Sequence, residues 1–284
     1  MKELLKSPEV LALIDIALKE DIGNGDHTSL ACIDAGKTGD AYCTAKESGV
    51  IAGIELAAFI FHKIDETLTF HANVKDGDEI KKGYMIFNVK GNSISILKGE
   101  RLVLNFLQRL SGIATQSGLI SNLIKDFKTR VLDTRKTTPG MRLLEKYAVR
   151  VGGSYNHRVG LYDMILIKDN HIDFSGGIRQ AIERTHDYLK KNHLDLQIEI
   201  ETRSIDEVKQ VLDAGGVNRI MLDNFSPALL KEAVTLIAGR YETEASGGIT
   251  KDNIRDFAAT GVDFISVGAL THSSKSIDLS MKVK

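Results

Sequence analysis

Six short apolar runs between Arg130 and the C-terminus constrain the fold more than any other feature of the chain. They end near Asp133, Lys168, Glu201, Asp223, Ser246 and Gly268, at intervals of 35, 33, 22, 23 and 22 residues. The segments 177–192, 204–214, 227–238 and 253–259 between them have helical composition, so three of the intervals match single strand-plus-helix units. The two longer intervals leave room for loops or for an extra strand around 148–151. Two unit endings resemble each other: AGGVNRIMLDNFS (214–226) and TGVDFISVGALTHS (260–273) each place a glycine after a helix and an apolar strand after the glycine. The pattern predicts a parallel βα array, closed or nearly closed into a barrel. Residues 130–284 number 155, against about 250 for an eight-unit barrel, so six or seven units fit.

The first third of the chain reads differently. Ser7, Pro8 and Glu9 form a helix start, with a hydroxyl cap, proline at the first helical position and an acid in the first turn. Val10, Leu11, Ile14, Ala17 and Leu18 make one apolar face, and the helix should stop before Gly23. DIGNGDHTS (21–29) is a polar turn cluster whose carboxylates could hold a cation, though capping loops is the better reading. From 41 to 97 the pattern shortens into strands, with one apolar helix over 54–64. The segment 73–91 looks like the hairpin of lipoyl and biotinyl carriers. Lys90, however, lacks the flanking pattern of a modified lysine, and the segment reads better as a β scaffold turning at Asp76-Gly77-Asp78. Residues 99–126 are continuously helix-compatible and bridge two domains; Arg101 and Arg109 on this helix read as surface residues. The expected division is 1–110, 111–273, and a C-terminal segment 274–284 free to return to the first domain.

Bulk charge narrows the function. Lysine plus arginine total 37 against 38 acids, a net charge of −1, which suits neither non-specific nucleic-acid binding nor an anionic membrane. Residues 130–171 nevertheless hold eight Lys or Arg and four acids, a local excess of four. A solvated basic face would scatter such charge, whereas here the cations cluster where β-forming runs end, as a polyanionic ligand requires. The apolar residues of the N-terminus are interrupted by Asp15, Lys19 and Glu20, unlike a signal peptide, and no run reaches the length of a membrane span. Cys32 and Cys43 have neither metal-ligand nor disulfide-framework spacing. The expected location is the cytosol.

Ligands of parallel βα arrays sit at the carboxyl ends of the strands, and the polar residues gather there. Arg135 and Lys136 follow the first strand, His157 and Arg158 precede the second, and Lys168 ends it. Glu199 and Glu201 share a face of the third by period two. Asp223 and Asn224 follow the fourth, Ser246-Gly247-Gly248 the fifth, and Gly268 to Ser274 the sixth. Glycine-rich loops after the last strands suit a 5-phosphate, and the cations opposite suit one or two carboxylates. The acids have the wrong sign for phosphate unless they meet sugar hydroxyls or a divalent ion.

DTRKTTPG (133–140), NHR (156–158), LIKDNH (166–171), IEIE (198–201), IMLDN (220–224), SGGI (246–249) and SVGALTHS (266–273) resemble the quinolinate phosphoribosyltransferase family, also called nicotinate-nucleotide pyrophosphorylase (carboxylating). EDIGNGDHTS (20–29) and ERLVLNFLQRLSGIAT (100–115) resemble it too, so the likeness runs in order from the first helix to residue 273. Ser154-Tyr155 is the one unusual pair, and it removes no expected charge. The resemblance implies an N-terminal α/β sandwich followed by an incomplete α/β barrel. It also implies the magnesium-dependent conversion of quinolinate and phosphoribosyl pyrophosphate to nicotinate mononucleotide, pyrophosphate and carbon dioxide, in NAD biosynthesis. Carried over residue by residue, Thr134, Arg135, Lys136, His157, Arg158 and Lys168 would line the dicarboxylate and phosphate pocket. Arg101 would enter from the second subunit of a homodimer. Glu201 and Asp223 would handle the ribose hydroxyls and the metal-pyrophosphate side, with Glu199 as an alternative to Glu201, and Lys136, Glu201 and Asp223 would be catalytic. Ser246, Gly247, Gly248, Val267, Gly268 and Ala269 would hold the 5-phosphate.

The chemistry implied is electrostatic: positive charge builds at the anomeric carbon and negative charge on the leaving diphosphate, and fixed charges stabilise both. Two rival readings are a lyase that forms a Schiff base on Lys168, and a molybdenum-uptake-associated relative that uses the same pocket for another heterocyclic acid.

Overall fold

Ser7 adopts an extended backbone and its hydroxyl accepts the Val10 N–H at 3.2 Å, which starts helix α1 (Pro8–Ile22) as the proline and acid predict; Gly23, at φ +54°, ends it. The computed structural model describes all 284 residues and divides into two compact units. One comprises Met1–Gly118, Lys136–Gly153 and Leu270–Lys284, the other Leu119–Arg135 and Ser154–Ala269.

In the first unit, the polar cluster at 21–29 runs directly into α2 (His27–Cys32), whose cap is Asp26. Strands β1 (Thr38–Ala45), β2 (Gly49–Val50), β3 (Thr69–Ala72), β4 (Glu79–Ile80) and β5 (Met85–Asn92) follow, with α3 (Ile54–Ile64) between β2 and β3. Asp76 decides where α3 begins: its Oδ1 accepts the N–H groups of Gly53 and Ile54. Phe61 of α3 meets Phe70 and Phe87, with ring centroids 6.1 and 5.9 Å away, so the helix packs on the sheet through aromatic contacts. Lys90 lies within β5, paired with Asp40 at 3.2 Å, not in the tight turn a carrier lysine needs. Helix α4 (Ser93–Leu123) then begins earlier and runs longer than the apolar periodicity marks.

Strand β6 (Arg130–Leu132) is the first strand of the second unit. Of the loops or extra strand for which the long interval leaves room, no strand forms at 148–151, because those residues end helix α5 (Arg142–Val151) in the first unit. Leu144, Ala148 and Val149 are all buried at helical spacing, and this outweighs the β propensity of two valines. Then come β7 (Ile165–Ile167), α6 (Asp169–Ser175), α7 (Ile178–Asn192), β8 (Ile198–Thr202), α8 (Ile205–Ala214), β9 (Arg219–Asp223), α9 (Pro227–Ile237), β10 (Glu242–Ser246), α10 (Ile254–Ala258) and β11 (Phe264–Ser266). The six strands pair in parallel in the order β6-β11-β10-β9-β8-β7. No ladder joins β7 to β6, so the barrel is incomplete. A single parallel bridge from Leu132 to Tyr155 is all that stands where a seventh strand could.

The chain closes with α11 (Ala269–His272) and β12 (Leu279–Val283). Strand β12 pairs antiparallel with β1, Ala41 opposite Val283, and completes a four-stranded sheet ordered β12-β1-β5-β3. The approach to β12 is close: a Cβ on Gly112 of α4 would lie 2.1 Å from the Lys275 carbonyl. Only glycine lets that segment lie on the helix.

Candidate active site

Because all six strands of the second unit run the same way, their carboxyl ends share one side, and the polar groups singled out in the sequence stand there. Asp133, directly after β6, is wholly buried; its Oδ1 accepts the His157 N–H at 2.8 Å and its Oδ2 accepts from the Asn156 side-chain amide at 2.6 Å. This carboxylate folds the NHR turn back over the strand end. Arg158, in that turn, donates from Nη1 to the Met164 carbonyl at 3.1 Å. Burial lowers the pKa of its guanidinium, and so does the charge of Arg135 nearby, while Glu199 and Asp163 oppose the shift. Two guanidinium groups that oppose each other's charge favour an anion between or beside them.

Lys168, at the end of β7, donates to Glu201 Oε2 of β8 at 2.5 Å. The Lys168 N–H donates to His171 Nδ1 at 2.9 Å, so the histidine of LIKDNH caps the start of α6. On the next strand end, Asp223 accepts from the Ser246 hydroxyl at 2.5 Å and from the Asn224 amide at 2.6 Å. The first of these bonds ties the ends of β9 and β10 to each other. Gly247 and Gly248 then take φ of +88° and +63°, both left-handed. A Cβ on Gly247 would meet Asn224 Oδ1 at 2.2 Å, whereas one on Gly248 meets nothing within 4 Å. The first glycine is thus packed against the acid corner and the second faces open space, as a backbone cradle for a phosphate requires.

Glu199 is not at the mouth. It is wholly buried on β8, one pleat below Glu201, and the His157 ring is turned toward it, Nε2 lying 3.0 Å from Glu199 Oε2. Glu244 of β10, also wholly buried, lies 3.5 Å from the same nitrogen and 3.0 Å from Arg219 Nη1. Burial raises the pKa of both carboxyl groups, and the charge of Glu199 raises that of Glu244 further. Both carboxyl groups are thereby held above the ordinary carboxylate range, with the Arg219 guanidinium beside them.

Thr134, Arg135, His157, Arg158, Lys168, Glu199, Glu201, Asp223, Ser246, Gly247, Gly248, Val267, Gly268 and Ala269 all belong to the second unit; Lys136 and Arg101 belong to the first. Arg101 is exposed on α4. Arg109, read from sequence as a surface residue, is instead half-buried and paired with the wholly buried Glu145 at 2.7 Å. Sequence reasoning passed over Asp133 as a binding element and missed Glu244 and Arg219. The period-two relation of Glu244 to Ser246 was the available signal.

Two family models cover nearly the whole chain. Residues 26–111 match the N-terminal domain of quinolinate phosphoribosyl transferase, and residues 113–282 match the C-terminal domain. A mitochondrial quinolinate phosphoribosyltransferase (decarboxylating) 2b of Nicotiana tabacum is 46% identical over 286 residues, covering 95% of this chain and 81% of its own. A probable nicotinate-nucleotide pyrophosphorylase (carboxylating) of Bacillus subtilis (strain 168) is 44% identical over 264 residues, 93% of this chain and 90% of its own. Among solved structures, NadC from Streptococcus pyogenes superposes with a TM-score of 0.92 at 40% identity, over 97% of this chain and 96% of that one.

Proposed function

Because this chain belongs to the quinolinate phosphoribosyltransferase family, we propose that it transfers the phosphoribosyl group of phosphoribosyl pyrophosphate to the ring nitrogen of quinolinate and removes the 2-carboxylate. The products are nicotinate mononucleotide, pyrophosphate and carbon dioxide, in NAD biosynthesis. The observation that carries this reading is the division of the strand ends by charge. Arg135 and Lys168 follow β6 and β7 and Arg158 stands in the NHR turn, while Glu201, Asp223 and the Ser246–Gly248 loop stand at the ends of β8 to β10.

We assign the grip on the two carboxylates of quinolinate to the cationic half, with Thr134 beside the arginines. Glu201 and Asp223 face the ribose, where carboxylates stabilise the positive charge that develops at the anomeric carbon as diphosphate departs. Gly248 and the Val267–Ala269 turn receive the 5-phosphate. Alignment of the ring nitrogen with that carbon supplies up to roughly 7–11 kcal/mol by proximity alone. After transfer the quaternised nitrogen stabilises the carbanion left by loss of the 2-carboxylate.

Magnesium fits the acid half as an oxygen-loving ion. Lys168 already engages one oxygen of Glu201, and Ser246 and Asn224 engage Asp223. Those two carboxylates would therefore hold the ion through water or through the diphosphate, whose charge it would neutralise. The Schiff-base alternative is not favoured, since the Lys168 amine is directed to Glu201 and the relatives are named for phosphoribosyl transfer. The partners we assign are the two substrates and a second copy of the chain, whose exposed Arg101 completes each site. No helix is long and apolar enough to cross a membrane. Two free cysteines accord with a cytosolic location.

Incubation with quinolinate, phosphoribosyl pyrophosphate and magnesium should release carbon dioxide and mononucleotide in equal amounts. Use of nicotinate in place of quinolinate would overturn the substrate assignment.

A further inference from the structure

Three residues other than glycine hold a left-handed backbone: His193, Asn224 and Ala238, at φ of +55°, +57° and +51°. His193 and Ala238 are the C-caps of α7 and α9, where that conformation is an ordinary way to end a helix. Asn224 ends no helix. It stands between the last residue of β9 and Ser226, the N-cap of α9, directly after the carboxylate assigned to the ribose. A backbone that side chains rarely adopt, placed at a site and not at a cap, must be held there by its surroundings.

The left-handed turn changes which way residue 224 faces. Successive side chains of a strand point to opposite faces, so a continued β9 would carry the Asn224 amide away from Asp223. Instead its Nδ2 donates to Asp223 Oδ2 at 2.6 Å. An ionised carboxylate accepts and does not donate, so the amide turns its nitrogen, not its oxygen, to Asp223. The Asn224 N–H meanwhile donates to the Ser246 carbonyl at 2.9 Å, which carries the β9–β10 pairing past Asp223. The amide oxygen lies against Gly247, where a Cβ would come within 2.2 Å of it. Glycine at that position leaves the amide its place.

Asp223 therefore has one donor on each oxygen: Asn224 on Oδ2, and on Oδ1 the Ser246 hydroxyl at 2.5 Å. Donors on both oxygens fix the plane of the carboxylate, and each oxygen keeps a further acceptor position for a ligand. We propose that Asn224 is a positioning residue, whose left-handed backbone returns its amide to Asp223 and, with the Ser246 hydroxyl, sets the orientation in which that carboxylate receives the ribose hydroxyls of phosphoribosyl pyrophosphate. This rests on the ribose role given to Asp223 above.

Asn224→Gly separates side chain from backbone, because glycine takes a left-handed φ without strain and has no amide. In ligand-free crystals of this variant the β9–β10 pairing should persist while the Asp223 carboxylate rotates or splits between orientations. A single, unchanged orientation would overturn the proposal whether or not the protein turns over quinolinate. In steady-state assays the variant should raise the phosphoribosyl pyrophosphate KM about tenfold and leave the quinolinate KM within about twofold. Equal rises in both, or no rise in the first, count against positioning. A double variant tests the route of the effect: placed on Asp223→Ala, Asn224→Gly should weaken calorimetric binding of phosphoribosyl pyrophosphate by no more than about twofold beyond Asp223→Ala alone. A full tenfold loss in that background would mean that Asn224 meets the ligand itself. If Asn224→Gly does not fold, Asn224→Asp, which tolerates the same backbone and offers Asp223 no amide donor, takes its place in the crystals, and an Asp223 carboxylate left where it stands is the adverse result.

Discussion

Glu145 accepts four hydrogen bonds inside the first unit: from Nε and Nη2 of Arg109, and from the N–H and hydroxyl of Thr138. Arg109 in turn donates to the carbonyls of Thr271 and Ser274, so one ion pair joins α4, α5 and the C-terminal segment. Removal of the acid leaves a half-buried guanidinium without its counter-charge. Glu145→Ala is therefore expected to lower stability by about 3–5 kcal/mol, and Glu145→Gln by less, as read from chemical denaturation midpoints. A fall below about 1 kcal/mol for Glu145→Ala would mean that the pair is not structural. Nothing in the local sequence distinguishes Arg109 from Arg101, since both lie on one amphipathic helix. Arg109 differs because Glu145, 36 positions later, folds against it.

At the level of elements, the loop between β10 and α10 separates two glycines that look alike in sequence. Both hold left-handed φ, which costs an alanine roughly 1–2 kcal/mol. Gly247 has a second penalty, because its Cβ would press on the Asn224 side chain and disturb the Asp223 corner. Gly247→Ala should thus raise the phosphoribosyl pyrophosphate KM and reduce kcat, whereas Gly248→Ala should act mainly on KM through steric exclusion of phosphate. Equal kinetics for the two variants, at equal folded content, would mean that the acid corner and the phosphate cradle are not separate. The same element-level view explains why 148–151, where the sequence left a loop or a strand open, is helical instead. Alternation over four residues is too short to outweigh three side chains buried at helical spacing.

At the level of the whole molecule, each unit is assembled from separated stretches of chain, and the last strand pairs with the first of the N-terminal sheet. If Arg101 serves the partner's site, mixed dimers of Arg101→Ala and Arg135→Ala, each inactive alone, should recover about a quarter of wild-type activity once subunits exchange at random. No recovery despite exchange demonstrated by mass tagging would confine both residues to one subunit's site. The sequence by itself determined the parallel βα order, its six strand ends, the helix start at Ser7 and the polar residues at those strand ends. Each of these follows from local periodicity, capping or turn chemistry, which act within a few residues. Tertiary structure alone decided that Glu199 and Glu244 are enclosed with His157, that Arg109 is paired, and that β12 returns to β1. Burial and charge pairing depend on residues brought together from distant positions, and no short window of sequence contains both partners.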